Sequence, residues 1–263
     1  MSFKKLICNL LLNAHPICIA RFMHPIYTKT IYKFYLNCDT VCSEYNRKDL
    51  FQTHNIDITL IRAAGINNII IVKWCLRNGA NIHSGNDCAL YNAVKNGHLE
   101  MVCLLLAAGA DMHVNNDVIP YTAAEYGHLK IVQLLIAAGV DIHIDDYCTL
   151  IITCKNGHLE IVRFLITIGA DVNAQNGLPL IWSSENGHLE IVQLLLAAGA
   201  DVYADDNYAL HIAAEKGHLN VVQFLIEKGA TANNAELKIA VEKSYLEIAK
   251  ILIDSILSNS NKK

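Results

Sequence analysis

The chain carries little charge and little proline, and what it lacks already excludes several classes of protein. Charged residues make up 17% of the 263 residues, against roughly 25% in soluble domains generally. The formal net charge is −4, and no basic stripe is present that would follow a phosphate backbone, so nucleic acid is not an expected partner. A hydrophobic fraction of 53% excludes an intrinsically disordered chain.

Long apolar runs and targeting signals are also missing. No run reaches the roughly 18 apolar residues that a membrane-spanning helix needs, so no membrane is expected as a partner. The apolar stretch after Lys5 is broken by Asn9, Asn13 and Pro16, which disfavours a secretory signal. The nine cysteines contain no C-x-x-C pair, a pattern that favours reduced thiols in an intracellular protein that is not secreted.

Catalytic motifs are absent as well. The chain contains no P-loop, no G-x-G-x-x-G and no H-E-x-x-H sequence. Ser183, Ser184 and His188 are close in sequence, but no G-x-S-x-G elbow accompanies them. The sequence therefore predicts a protein that is not an enzyme and uses no cofactor.

The feature that is present is an internal repeat. Gly-His-Leu occurs five times at a spacing of 30 residues, and a second glycine keeps the same period from Gly79 to Gly229. The period defines six units and a shortened seventh: 57–86, 87–116, 117–146, 147–176, 177–206, 207–236 and 237–257. One such unit cannot bury its apolar face alone, so stacking of neighbours into a solenoid is expected.

Each unit has the pattern of two helices separated by a turn. In 177–206, Gly187 ends the first helix and Leu189 begins a run with apolar residues on one face. Gly199 stands where a left-handed residue ends the second helix. The predicted fold class is therefore all-α, built from stacked helix-turn-helix units.

These units resemble the ankyrin repeat, whose Leu-His-x-Ala-Ala and Gly-His elements stand in the sixth unit as Leu210-His211-Ile212-Ala213-Ala214 and Gly217-His218. The resemblance covers residues 57–257 and implies a solenoid that binds a partner protein on its concave face. The sequence from Asn186 to Val202 is also similar to that of ankyrin proteins of giant DNA viruses, of the mimivirus type. That narrower resemblance implies a viral protein that engages host proteins in the cytoplasm or nucleus.

The chain departs from the family pattern in its connectors. Family units usually have 33 residues, so three are missing here, and stunted hairpin fingers are expected. The threonine that normally caps the first helix is replaced by residues such as Cys88 and Val118. Asp87, Asp117 and Asn207 are the neighbours that would replace this cap.

The ends of the chain have less pattern. A helical cap on the first repeat is the preferred interpretation of residues 1–56, and a separate binding segment is the other. A ubiquitin-ligase substrate adaptor is an alternative function, and it would depend on residues 1–56 because the segment after Ile256 is too short for an F-box-like element. Residues 258–263 are expected to be a disordered tail.

Histidines form two ladders with the 30-residue period. One consists of the Gly-His residues, from His98 to His218, and the other of His83, His113 and His143. Zinc ligands lie about 2.0–2.1 Å from one ion, whereas stacked helices are roughly 8–10 Å apart, so ladder neighbours cannot share a metal. Bonding between repeats is the expected role, and metal or small-molecule binding is the unfavoured alternative.

The candidate partner-binding surface consists of residues before Gly-His and in the connectors, which line the concave face in the family. Exposed tyrosines are over-represented at interfaces. Trp74 and Trp182 are interpreted as packing residues, and the protein is expected to be a monomer. The candidate residues are Lys95, Asn96, Glu125, Tyr126, Tyr147, Lys155, Asn156, Glu185, Asn186, Tyr208, Glu215 and Lys216.

Overall fold

The computed structural model describes residues 56–140 and 149–260, and in these ranges all regular structure is helical. The helices alternate between a first and a second helix of each unit, which confirms the predicted all-α architecture. In chain order they are α1 Ile56–Gly65, α2 Ile69–Arg77, α3 Ser84–Lys95, α4 Leu99–Ala107, α5 Val114–Glu125, α6 Leu129–Ala137, α7 Thr149–Asn156, α8 Leu159–Thr167, α9 Ala174–Glu185, α10 Leu189–Ala197, α11 Ala204–Lys216, α12 Leu219–Glu227, α13 Asn234–Glu242 and α14 Leu246–Ser260.

The second helices form because each has one apolar face and good ends. In α10, Ile191, Val192 and Leu195 are buried, and Glu190 lies in the first turn, where its charge favours the helix dipole. Gly199 follows the helix with φ +94°, the left-handed conformation that glycine adopts without penalty. Full burial of one leucine stabilises the fold by about 1.5–3 kcal/mol, so packing rather than helix propensity holds these nine-residue helices.

The turn between the two helices of a unit is a Schellman motif. In the third unit the amide of His128 donates to the carbonyl of Ala123 at 2.9 Å, and the amide of Gly127 donates to that of Ala124 at 3.2 Å. Gly127 has φ +78°, as this motif requires at the residue after the helix. One role of the recurring Gly-His pair is therefore to end the first helix of the unit.

The connectors between units are short left-handed turns, and no strand occurs in the described parts of the chain. Three consecutive residues adopt positive φ in each of Gly85–Asp87, Gln175–Gly177 and Asp205–Asn207, before the regular part of the first helix. Asparagine, aspartate and glycine are the residues that enter this region most readily. The turn explains why the connectors are rich in these types, and the absence of strands confirms the predicted stunted fingers.

Neighbouring first helices pack against each other more closely than neighbouring second helices do, a difference that bends the stack towards its first helices. The first helices therefore lie on the inner side of the curve, and a single apolar core runs between the two layers from Leu60 to Leu252. In the described ranges no helix is both long enough and apolar enough to cross a membrane.

The last helix pair differs from the earlier pairs in how its first helix begins and in where its second helix ends. Asn233 and Glu236 form a capping box at the start of α13, which begins three residues before the predicted partial unit. The final helix reaches Ser260, so it includes the first residues of the segment expected to be a tail. Ser258 donates its hydroxyl to the carbonyl of Asp254 at 2.7 Å within this helix.

One tryptophan lies differently from its interpretation as a core residue. Trp74 is 36% exposed on α2, so that interpretation is wrong. The equivalent positions in later units are only partly buried as well, as Leu104 and Phe164 show. A larger indole ring at this position extends into solvent.

Candidate functional site

The Gly-His histidines join each unit to the one before it. Because a carbonyl oxygen only accepts, each imidazole donates its Nε2–H to the end of the preceding first helix, at 2.7–3.1 Å. The predicted bonding between repeats is therefore confirmed. The five pairs are His98 with Gly65, His128 with Lys95, His158 with Glu125, His188 with Lys155, and His218 with Glu185.

The rings of His128, His158, His188 and His218 also cover a glycine of the preceding unit. A Cβ built on Gly127 would lie 2.7 Å from Cε1 of His158, and equivalent contacts recur along the ladder. In the last unit Tyr245 takes the place of the histidine, and its ring lies 2.8 Å from a Cβ built on Gly217. The ladder is thus a structural seam and ends with a ring of the same function.

The second histidine ladder shows no convergence on an ion. His83 Nδ1 lies 3.2 Å from a carboxylate oxygen of Asp87 in its own connector, and His143 lies outside the described residues. Within those residues no group of three or more histidine, cysteine, aspartate or glutamate side chains is placed to hold a metal. Burial raises the pKa of the Cys75 thiol to about 12, with a smaller contribution from Asp57, so this thiol stays protonated.

A ladder of Asx side chains crosses the connectors. Asp57 accepts from the amide of Asn81 at 2.7 Å, Asp87 from that of Asp111 at 2.9 Å, and Asn207 from that of Thr231 at 3.1 Å. The expectation that Asp87 and Asn207 cap their own helices is therefore wrong. Their residues are in the left-handed region, which points the side-chain oxygen towards the next connector. Asp117 is not among the side chains described.

Three of the candidate residues, Lys95, Tyr126 and Lys155, take part in cation–π contacts at the Gly-His edge. Lys95 Nζ lies 5.5 Å from the centroid of the Tyr126 ring, and Lys155 Nζ lies 4.4 Å from that of Trp182. The charge interaction and hydrogen bond with Tyr126 raise the pKa of Lys95 above its ordinary value. Trp182 is thus half-buried beneath a lysine, between the core and the surface.

Further along the same edge the lysines pair with carboxylates. Lys216 Nζ lies 3.4 Å from Glu185, and Lys243 Nζ lies 3.4 Å from Glu215 and donates to its carbonyl at 2.8 Å. Exposed pairs of this kind contribute about 0–1 kcal/mol. These pairs therefore add little stability, and their main effect is to neutralise the charge of this edge.

The candidate asparagines have a structural role at that edge. Asn156 donates from Nδ2 to the carbonyl of Glu125 at 2.9 Å, across one unit, and Asn96 does the same to Gly65 at 3.1 Å. Asn186 donates to the carbonyl of Trp182 within its own helix at 2.9 Å. All three asparagines remain exposed, so they line the edge as well as hold it.

Two candidate tyrosines lie on the surface. Tyr126 is 43% exposed and stacks at 6.5 Å on His128, and Tyr208 is 40% exposed and stacks at 5.6 Å on His211. The third, Tyr147, lies outside the described residues. The candidate tyrosines therefore belong to different ends of the first helices, because Tyr126 follows α5 whereas Tyr208 begins the regular part of α11.

Apart from Tyr208, the sequence analysis missed an apolar row on the exposed face of the first helices. Residues three or seven positions apart share one helix face. Val118, Tyr121 and Glu125 have this spacing, so the two apolar residues lie on the same face as the charged residue at the end of the helix. The sequence signal for this row is the apolar residues at the first and fourth positions after a connector, such as Val118 and Tyr121. The apolar row comprises Tyr91, Val118, Tyr121, Ile151, Leu178 and Tyr208, of which Tyr208 is exposed and the others are half-buried.

Helix pairs in a curved stack, joined by a histidine seam and with one exposed inner face, define a helical-repeat solenoid. A family model of ankyrin repeats, described as three copies, matches residues 29–116, 121–206 and 202–263. The chain belongs to the ankyrin-repeat family. No curated protein is significantly similar to the chain.

Proposed function

We propose that the protein is a non-enzymatic interaction module that binds a partner protein on the exposed face of its first helices. The observation that carries the proposal is the apolar row, which runs along the inner side of the curve from Tyr91 to Tyr208. Ankyrin repeats are generally protein–protein interaction modules, and this face is the one that the curvature presents to a partner.

The composition of the face suits a protein partner. Aromatic side chains lose little conformational freedom on binding and bury much area, so they dominate the energy of many interfaces. Tyr91, Tyr121 and Tyr208 supply such rings at the row, and Tyr126 supplies another at the Gly-His edge. The lysine contacts and ion pairs at that edge leave a mixed, partly neutralised rim, which is typical of the border of an interface.

A double substitution tests the proposal. The full chain with Tyr126→Ala and Tyr208→Ala is compared with the wild type as bait in cell extracts, with bound proteins measured by quantitative mass spectrometry. The matched control carries Cys103→Ala and Gln193→Ala, two exposed positions at equivalent places on second helices. We expect proteins captured by the wild type to be lost by at least threefold with the first variant and retained by the control. An unchanged partner set with the first variant contradicts the proposal.

The finer features of the function are part of the same proposal. We place the protein inside the cell, supported by Cys75, Cys88 and Cys103, which form no disulfide. We propose that it works as a monomer and without nucleic acid, and that residues 1–56 cap the array. The ankyrin match begins at residue 29, so the proposed cap includes repeat-like sequence.

The wording of the repeat from Asn186 to Val202 supports a viral origin, and in that setting the partner is a host protein. Co-purification from infected cells, compared with uninfected cells to which the protein is added, tests this point. Recovery of viral proteins alone would contradict it. The alternative of a ubiquitin-ligase adaptor would depend on residues 1–56, of which 1–55 lie outside the described residues, and no observation on the described residues favours it.

A further inference from the structure

The connectors between units have a one-sided charge. The five segments 78–87, 108–117, 138–147, 168–177 and 198–207 contain ten aspartates and no lysine, arginine or glutamate. The whole chain has 21 basic and 25 acidic residues and a net charge of −4. In the described connectors this places the negative charge of Asp87, Asp111, Asp171, Asp201, Asp205 and Asp206 along one edge of the solenoid.

The turn geometry does not require this charge. Asp111, Asp171 and Asp201 each accept from the amide two residues further on, at 2.9 Å. At the equivalent position of an earlier unit, Asn81 makes the same bond with the amide of His83 at 3.1 Å. Asparagine thus satisfies the turn equally well, and the aspartates add only the charge.

The same comparison holds one step further along the connector. Asn86 and Asn176 adopt positive φ at the position that Asp206 occupies in the last complete connector. Aspartate is again not needed for the left-handed turn, since asparagine enters that region readily. The sequence uses the charged residue at positions where the uncharged one folds in the same way.

Five of the described connector carboxylates are exposed, and no ion pair with a nearby cation is found for them. Asp111, Asp171, Asp201, Asp205 and Asp206 are all exposed. The ion pairs found among the described residues involve none of these five. At the opposite, Gly-His edge, by contrast, lysines lie over aromatic rings or beside glutamates. The two edges therefore differ in electrostatic character.

The apolar row lies next to the acidic edge. In α9 and α11 the regular part of the helix begins directly after the connector, so Leu178 and Tyr208 are in its first turn, next to the connectors that carry Asp171, Asp205 and Asp206. We propose that the partner on this first-helix face is a segment with lysine or arginine side chains along one side and apolar side chains along the other. The inference rests on the proposed function and specifies the partner chemistry of the same face.

The charge of the connector edge would orient such a segment and raise its association rate. At physiological ionic strength the screening length is about 8 Å, so aspartates on successive connectors act together on a bound chain. A field of one sign along a groove raises the association rate of oppositely charged partners. An acidic segment would be repelled by the same edge, which makes the charge a means of discrimination.

The test uses the full chain and a random library of 12-residue peptides displayed on phage. Selected peptides are then synthesised, and their dissociation constants are measured by fluorescence anisotropy. The edge variant carries Asp171→Asn, Asp201→Asn and Asp206→Asn, substitutions already present at equivalent positions of this chain. The control carries Glu100→Gln, Glu160→Gln and Glu190→Gln on exposed faces of second helices, with the same change in charge.

We expect the selected peptides to combine several basic residues with aromatic or aliphatic ones. The edge variant should bind them roughly fivefold more weakly, at about 0.2–1 kcal/mol for each exposed charge pair lost, and the control should stay within about twofold of the wild type. Selection of neutral or acidic peptides, or equal weakening by the two variants, overturns the inference.

The face variant, with Tyr126→Ala and Tyr208→Ala, separates this inference from the proposed function. Loss of peptide binding in the face variant together with the edge variant supports both. Loss in the face variant with no effect of the edge variant leaves the binding face in place and refutes the basic partner. Full binding by the face variant refutes the proposed function itself.

Discussion

His218 donates its Nε2–H to the backbone carbonyl of Glu185, 2.7 Å away in the preceding unit. The same ring covers Gly187, where a Cβ would lie 2.6 Å from Nδ1. One side chain thus satisfies the end of a first helix and closes the interface between two units. Repetition of this contact in successive units joins the helix pairs into a continuous stack.

The first prediction separates the two reasons for glycine at this turn. Gly187→Ala should lower the free energy of unfolding by about 2–4 kcal/mol, because it combines a strained left-handed alanine with a clash against His218. The control is Gly199→Ala in the same unit, which has φ +94° and nothing within 4 Å of the new Cβ. That variant should lose only about 1–2 kcal/mol. Urea denaturation measures both, and equal losses would show that the ring contact is unimportant.

The second prediction concerns the bond between connectors. Asp87 is buried and accepts from the amide of Asp111, so Asp87→Ala leaves that amide without its partner and should cost about 1–3 kcal/mol. Asp87→Asn keeps an acceptor oxygen, as Asn207 does at the equivalent position, and should lose less than half as much. Thermal unfolding of the two variants distinguishes them. Equal destabilisation would show that the charge and its contact with His83, rather than the bond between connectors, matter.

The repeat period made the fold predictable from the sequence. A 30-residue recurrence of Gly-His-Leu with one apolar face in each second helix leaves no other arrangement in which the apolar faces are buried together. The connectors were harder to predict. Whether Asp87 caps its own helix or bonds to the next connector depends on three consecutive left-handed residues, and no local pattern specifies that geometry before the units are stacked.

The third prediction uses a buried hydroxyl that has no hydrogen-bond partner. Ser184 Oγ is such a group, at a position occupied by Ala124 and Ala214 in other units. Ser184→Ala should stabilise the protein by about 0.5–1.5 kcal/mol, because it removes an unsatisfied polar group and favours the helix. Ser183 donates to the carbonyl of Leu180 at 3.0 Å, so Ser183→Ala should gain less. A loss of stability in the Ser184 variant would contradict this explanation.

The fourth prediction concerns alkaline pH. Burial raises the pKa of Cys75 from its usual 9.0 to about 12, so the folded state favours the neutral thiol. The stabilisation is complete below the unfolded pKa and is lost as pH rises from about 9 towards 12, because the unfolded chain releases this proton first. Between about pH 8 and about pH 10, the urea midpoint of unfolding should therefore fall less in Cys75→Ala than in the wild type. Identical falls would indicate that the thiol is not held neutral by the fold.

The candidate face was predictable only in part. The position of the residues before Gly-His at the end of each first helix was predictable, since the turn fixes it, whereas their role in partner binding stays a prediction. Their pairing was not predictable, because the approach of Lys155 to Trp182 and of Lys216 to Glu185 depends on the spacing between stacked units. Leu178 in the apolar row was missed for a related reason: a half-buried residue on an inner helix has the same sequence signature as a core residue.

The most direct test of the binding face is site-specific photo-crosslinking in living cells. A benzophenone amino acid is placed at Tyr126 or Tyr208, where an aromatic side chain is already exposed, and at Cys103 or Gln193 on the second helices. We predict discrete protein adducts from the two tyrosine positions and none above background from the other two. Adducts formed equally from both sets, or only from the second helices, would contradict the proposal that the first-helix face binds the partner.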